Sequence, residues 1–261
     1  MNYFESHAHY DDPRFDCDRD GILAETHDAG VGVIINVGSD LESSAKSVML
    51  AEKYGFIYAS LGVHPHEAAS MADIDLRTLG DMAQNPKAVA IGEIGLDYYF
   101  DNPYNTSDKE TQRKRFIDQL KLADELALPV IIHSRDAAQE TFDILKKSGM
   151  GKKRGGSVHC FSGSAEMAVE YVRMGFSIGV GGVITYKNAR NLIETVQAVS
   201  LENLLIETDS PYLSPVPNRG LRNNSQNLRY ISEKIGEIIQ VPHGEVVSKT
   251  YENGVSIFLK K

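Results

Sequence analysis

Short runs of apolar, largely β-branched residues alternate along the chain with longer stretches in which apolar positions recur at helical spacing. The runs predict strands over Tyr3–His7, Gly32–Val37, Ile57–Val63, Ala88–Ile94, Pro129–His133, Gly156–His159, Phe176–Gly179 and Leu204–Glu207. Several of them, such as VGVIINV, AVAIGEI, PVIIH and LLIE, are nearly continuously apolar. Strands read this way when both faces are covered, as a parallel sheet requires. Helical spacing falls between them, over Leu41–Tyr54, Lys109–Leu126, Ala137–Lys147, Ala165–Met174, Ala189–Val199 and Gln226–Ile239. Asp40 and Asp136 stand where helix N-caps are expected, and Gly30, Gly55, Gly149 and Gly175 where helices should end.

Eight such alternations without a Pro/Ser-rich linker predict a (β/α)8 TIM barrel. A doubly wound open sheet has the same local pattern. It would have fewer strands and usually a glycine-rich phosphate loop, which the sequence lacks. The chain has 261 residues, and α/β barrels reach about 250 residues as one unit. One domain spanning 1–261 is therefore expected, with an extra C-terminal helix over Gly244–Phe258 packed outside the ring.

Composition narrows the function classes. No apolar run approaches the roughly 18–20 residues of a membrane span. The start, MNYFESHAHYDD, has neither the basic nor the apolar region of a secretory signal. Two cysteines, Cys17 and Cys160, do not make a disulfide framework, so a cytoplasmic protein is expected. With 36 acidic against 27 basic residues, the net charge is −9. That balance argues against a protein that coats long nucleic acid through a basic face. It leaves a nuclease open, because metal ions can supply positive charge locally.

The unusual polar residues gather at the ends of predicted strands, where barrels of this kind carry their chemistry. The first strand ends in His7-Ala8-His9, and residues two apart in an extended chain point to the same side. Glu93 ends the fourth, His133 the fifth and His159 the sixth, while Asp209 follows the eighth. Any one of these has an ordinary structural explanation. Together, four of the eight histidines and two carboxylates fall where five strands would point into one cleft. Imidazole and carboxylate suit Zn²⁺, Mn²⁺, Fe²⁺ or Mg²⁺. Six ligands without cysteine describe an open, hydrolytic site, with room for two ions bridged by one carboxylate. Arg135 follows the His133 strand, and Arg219 and Arg222 lie in the loop after the last one. Guanidinium groups match phosphate oxygens in bidentate fashion.

The blocks ESHAHYD, GVHPH, GEIGLDYY, HSRDA, HCFSG and ETDSPYLSPVP-RG-RN, in this order, resemble the TatD family of metal-dependent deoxyribonucleases, within the amidohydrolase-like barrels. The resemblance covers essentially the whole chain. It implies that His7, His9, Glu93 and Asp209 hold one divalent ion, and that Glu93, His133 and His159 hold a second, with Glu93 bridging. It also implies that His64 lines the pocket. Two departures stand out. Glu5 occupies a position where the family often has aspartate, and Asn224-Ser225 replaces a usual Glu-Pro.

The expected reaction is phosphodiester hydrolysis with two divalent ions (Mg²⁺, Mn²⁺ or Zn²⁺) and Asp209 as general base. DNA is the expected substrate, as a single strand or frayed end cut 3'-5', and the protein is expected to act as a monomer. The same centre on this barrel could instead hydrolyse an aminoacyl ester, lactone, amide or phosphotriester. A binding protein with a degenerate site would need missing ligands, and all six are present.

Overall fold

A computed structural model describes residues 2–101 and 103–260. Its strands are β1 (Tyr3–Ala8), β2 (Val31–Val37), β3 (Ile57–Leu61), β4 (Ala88–Asp97), β5 (Val130–Arg135), β6 (Gly156–Val158), β7 (Phe176–Val180) and β8 (Leu204–Ile206). They form one eight-stranded sheet in the order β1-β2-β3-β4-β5-β6-β7-β8. A parallel bridge from Ala8 to Ser210, in the segment after β8, closes that order on itself. This is the predicted (β/α)8 barrel. All eight predicted strands are present, and β4 runs on to Asp97 and β5 to Arg135, beyond their predicted ends.

The helices are α1 (Arg19–Asp28), α2 (Leu41–Lys53), α3 (Asp73–Met82), α4 (Lys109–Leu126), α5 (Ala138–Ser148), α6 (Met150–Lys153), α7 (Ala165–Met174), α8 (Arg190–Ala198), α9 (Leu228–Ile239) and α10 (His243–Gly254). Three of them, α1, α3 and α6, carry little of the pattern that marks the others. Only Leu23 and Thr26 of α1 and only Leu79 of α3 are buried, and each helix has an internal glycine. Asp40 caps α2 as expected. Its Oδ1 accepts from Ser43 N–H (2.7 Å), and Ser43 Oγ accepts from Asp40 N–H (2.8 Å), a reciprocal capping box. Asp136 does not cap α5, whose N-cap is Ala137.

By packing, the chain divides into two compact units. One comprises Met1–Asn36, Cys160–Arg173 and Ser177–Lys261, and the other Val37–His159 and Met174–Phe176. In the first, β1 pairs with β2 from Tyr3–Val31 to Ala8–Asn36, and β7 pairs with β8 from Ile178–Leu204 to Val180–Ile206. In the second, β4 lies between β3 (Ala59–Ala88) and β5 (Ile91–Val130), and β6 follows β5 (Val130–Gly156). Strands β1, β4 and β7 are buried at every position, as strands covered on both faces should be.

The additional C-terminal helix belongs to the first unit and is docked through one ring. Phe4 of β1 is fully buried, 6.0 Å from the Tyr251 ring and 6.2 Å from the Phe258 ring. A Cβ at Gly254 would come within 2.5 Å of the Phe4 ring, so glycine lets α10 approach this closely. Asn253 Nδ2 donates to the carbonyls of Leu201 and Leu204 (both 2.8 Å), fastening the same helix beside β8. Emptying the Phe4 site should cost about 3–5 kcal/mol. Chemical denaturation of Phe4→Ala is expected to give a midpoint well below that of the parent. An unchanged midpoint would show that this helix adds little to the fold.

Candidate metal centre

In the first unit, β1 carries His7, and His9 follows one residue past its end. Their Nε2 atoms lie 3.1 Å apart, and His7 is fully buried. Asp209 Oδ1 lies 3.4 Å from His9 Nε2 and 3.8 Å from His7 Nε2. Asp209 reaches this position from a left-handed backbone conformation (φ 56°), which costs a non-glycine residue free energy and is tolerated at functional sites. Its N–H donates to the His7 carbonyl (2.9 Å), and its own carbonyl accepts from Tyr212 N–H (2.8 Å).

Two fully buried carboxylates fasten β1 to the segment that carries Asp209. Glu5 accepts from Thr208 N–H (2.8 Å), Thr208 Oγ1 (2.6 Å) and His7 N–H (3.3 Å). Burial raises the Glu5 carboxyl to about 8, against the opposing effect of hydrogen bonds from Thr208 and Ser225. Glu207 accepts from Ser6 Oγ (3.1 Å) and from Cys160 N–H. Neither residue was singled out from the sequence as part of the site. The available signal was an acidic residue within β1, at Glu5, and one directly after β8, at Glu207.

In the second unit, the centre is Glu93, 4 % exposed. Its Oε1 lies 2.8 Å from His133 Nδ1, 3.0 Å from His159 Nε2 and 3.8 Å from His64 Nε2. Glycines bring the backbone close enough for this. A Cβ at Gly92 would meet Ile131 at 2.6 Å, and one at Gly95 (φ 148°) would meet the His133 carbonyl at 1.9 Å. Strand β4 can therefore press against β5 on either side of Glu93.

Asp97 is the second anchor, outside the six candidate ligands named above. Its Oδ2 lies 2.8 Å from His66 Nε2 and 3.1 Å from His133 Nε2. It sits four residues beyond Glu93 in the same strand, an even spacing that would have pointed to it. Burial pushes the Asp97 carboxyl up, but hydrogen bonds from His133 and His66 outweigh that and hold it far below the usual carboxylate range. For His133, burial opposes the charged form, yet the hydrogen bonds to Asp97 and Glu93 prevail and raise its pKa. His64 is lowered well below the ordinary histidine value by burial and by neighbouring His133.

The donor chemistry fits divalent metal ions. Ligand atoms of His64, Glu93 and His133 lie within 4.8 Å of one another, as do those of His64, His66 and Asp97. Imidazole nitrogens and carboxylate oxygens make up these groups and the His7, His9, Asp209 cluster. Cysteine takes no part in the metal-compatible groups among the described residues, where Cys17 is exposed. His27 and His243 serve elsewhere: His27 Nδ1 lies 3.0 Å from the Val31 carbonyl, and His243 Nε2 lies 3.2 Å from Tyr3 Oη.

The three arginines have distinct settings. The Arg135 guanidinium lies 3.9 Å from the Tyr99 ring centroid, and that of Arg219 lies 4.5 Å from the Tyr186 centroid. Arg222 is paired with Asp18 (2.5 Å) and lies over the Phe15 ring. Asn224, where the chain departs from the family pattern, accepts from Gln226 N–H (2.9 Å) through its side chain and caps a short turn. Ser225 exchanges hydrogen bonds with buried Tyr10 through its N–H and its Oγ (both 2.9 Å). This part of the loop is thus secured without a carboxylate at position 224.

Known proteins resemble this chain along most of its length. The family model described as TatD related DNase matches residues 4–259. A metal-dependent hydrolase of Bacillus subtilis, YabD, is 39 % identical over 255 residues, covering 98 % of each chain. A 3'-5' ssDNA/RNA exonuclease, TatD of Shigella flexneri, is 36 % identical over 228 residues, covering 85 % of each. The crystal structure of YjjV, a TatD homologue from Escherichia coli, superposes with a TM-score of 0.91 at 34 % identity, covering 99 % of this chain and 98 % of that one. The chain belongs to the TatD family of metal-dependent hydrolases.

Proposed function

We propose that this chain is a divalent-metal-dependent deoxyribonuclease that removes nucleotides 3'-5' from single-stranded or frayed DNA ends. The observation that carries the reading is the gathering of imidazoles on the buried carboxylate of Glu93. The Shigella relative named as a 3'-5' ssDNA/RNA exonuclease supports a single-stranded nucleic-acid substrate. In this proposal the 261 residues work as one catalytic domain, in the cytoplasm and as a monomer. Among the described residues, no helix is long and apolar enough to cross a membrane.

His7, His9, Asp209 and Glu93 would hold one ion, and Glu93, His133 and His159 a second. Bound divalent cations place positive charge against phosphoryl oxygens and make a neighbouring water more acidic. The remaining steps fall to the chain itself. Asp209 has 16 % of its side-chain surface exposed and can meet substrate from solvent. Its carboxylate accepts the proton of the attacking water and returns one to the leaving oxygen. The buried side chains of Glu5 and Glu207 hold the backbone just before Asp209, so the base does not drift as substrate enters. Arg135, Arg219, Arg222 and His64 would contact the phosphates. Stacking of Arg135 and Arg219 on tyrosine rings directs their planar forks while leaving N–H donors available.

Loss of a general base removes about 10²–10⁴-fold of rate. Asp209→Asn should therefore lower turnover of single-stranded DNA by at least about a hundredfold while the circular-dichroism melt stays close to that of the parent. Near-normal turnover would end the assignment of Asp209 as base. Glu93→Ala should lower the metal bound per chain, read by elemental analysis after dialysis. Undiminished metal would contradict the bridging role.

A further inference from the structure

Large apolar side chains at the surface are usually scattered singly. Here seven of the nine exposed ones described fall in two loops: Tyr99, Phe100 and Tyr104 in the loop after β4, and Tyr212, Leu213, Val216 and Leu221 in the loop after β8. The first group directly continues the strand that supplies Glu93 and Asp97. As whole residues, Tyr99, Phe100 and Tyr104 are 38 %, 46 % and 76 % exposed.

The base of this loop is firmly set. Tyr99 N–H donates to Asp97 Oδ1 (2.9 Å), and Asn105 Nδ2 donates to the Asp97 carbonyl (2.9 Å). Buried Gln112 joins the two ends, accepting from Asp97 N–H (2.9 Å) and donating to the carbonyls of Asp97 (2.8 Å) and Ser107 (3.0 Å). Cations lie against the rings: Arg135 is 3.9 Å from the Tyr99 centroid, and Lys109 is 4.3 Å from that of Tyr98. Tyr98 and Phe100 stack at 6.1 Å with an interplanar angle of 15°. Tyr98 Oη is held by Glu140 Oε2 at 2.8 Å.

Exposed aromatic faces, anchored at the base and interleaved with cations, have the makeup of a stacking platform for unpaired bases. From this we infer that Tyr99 and Phe100, with Arg135 beside them, form a subsite that stacks bases of single-stranded nucleic acid a few nucleotides from the scissile phosphate. The inference rests on the nuclease reading and adds to it the origin of a single-strand preference. Paired bases keep their faces covered by their neighbours, so duplex would gain little from the same rings. The arginine contributes through the backbone phosphates as well as through the ring it covers.

The test measures fluorescence anisotropy with a phosphorothioate oligothymidylate, which resists hydrolysis, and a duplex of equal length, on the metal-loaded full chain. Each stacked base is worth roughly a tenfold change in affinity or more. Tyr99→Ala with Phe100→Ala should weaken single-strand binding by at least about tenfold and duplex binding much less. Tyr99→Phe with Phe100→Tyr should bind like the parent. Phe100→Ala alone serves if the double variant melts early. Parental single-strand affinity in the alanine variants would overturn the inference, as would equal loss on both probes. So would a change confined to self-association in sedimentation, which would make the rings a contact between copies. Metal-dependent cleavage of ordinary oligothymidylate by the parent separates the two failures. If the parent cleaves it and the alanine variants bind normally, only the subsite is lost. If the parent neither binds nor cleaves it, the nuclease reading falls too.

Discussion

A carboxylate shut away from water has to be compensated by positive or hydrogen-bonding partners, and in this protein much of the site follows from meeting that requirement at Glu93. Its Oε1 is approached by His133 Nδ1 and His159 Nε2 at about hydrogen-bond distance, with His64 slightly further away. Strand β4 can carry it there because Gly92 and Gly95 let the backbone lie against β5 where any side chain would collide. Asp97 repeats the arrangement one step further along the same strand, sharing His133 with Glu93 and adding His66. A pair of anions with shared imidazoles can exchange protons for divalent cations without rebuilding the backbone, which suits a metal centre.

The cluster of His7, His9 and Asp209 is assembled by different means. His7 lies in β1 and His9 one residue past its end, whereas Asp209 follows β8 in a left-handed conformation. Glu5 and Glu207 connect the two stretches. Their buried oxygens accept from Thr208, His7, Ser6 and Cys160, so the backbone that carries His7 and Asp209 is positioned by side-chain hydrogen bonds as well as by the sheet. The price is desolvation, evident in the raised Glu5 carboxyl.

Much of this was legible in the residues. Parallel strands buried on both faces announce themselves as apolar runs, and a polar residue late in the strand interrupts such a run conspicuously, as at Glu93 and His133. Less visible were elements whose burial is slight: α1 and α3 contribute few side chains to the interior, so their spacing carries little signal. Asp97 was hidden because it lies among tyrosines and looks like the start of a loop, although the strand continues to it. The partners of the arginines were equally out of reach. That Arg222 faces Asp18, 204 residues away in sequence, depends on tertiary packing that no local pattern encodes. The same holds for Ser225, whose partner Tyr10 lies 215 residues away.

The central claim is that these imidazoles and carboxylates exist to hold divalent ions for phosphodiester hydrolysis. The most direct measurement is cleavage of end-labelled single- and double-stranded DNA by metal-stripped protein, resupplied with Mg²⁺, Mn²⁺ or Zn²⁺ one at a time. The account predicts no cleavage by the stripped protein and, with at least one ion, stepwise shortening of the single strand from its 3' end. Undiminished cleavage without metal, or none with any of the three ions, would contradict it.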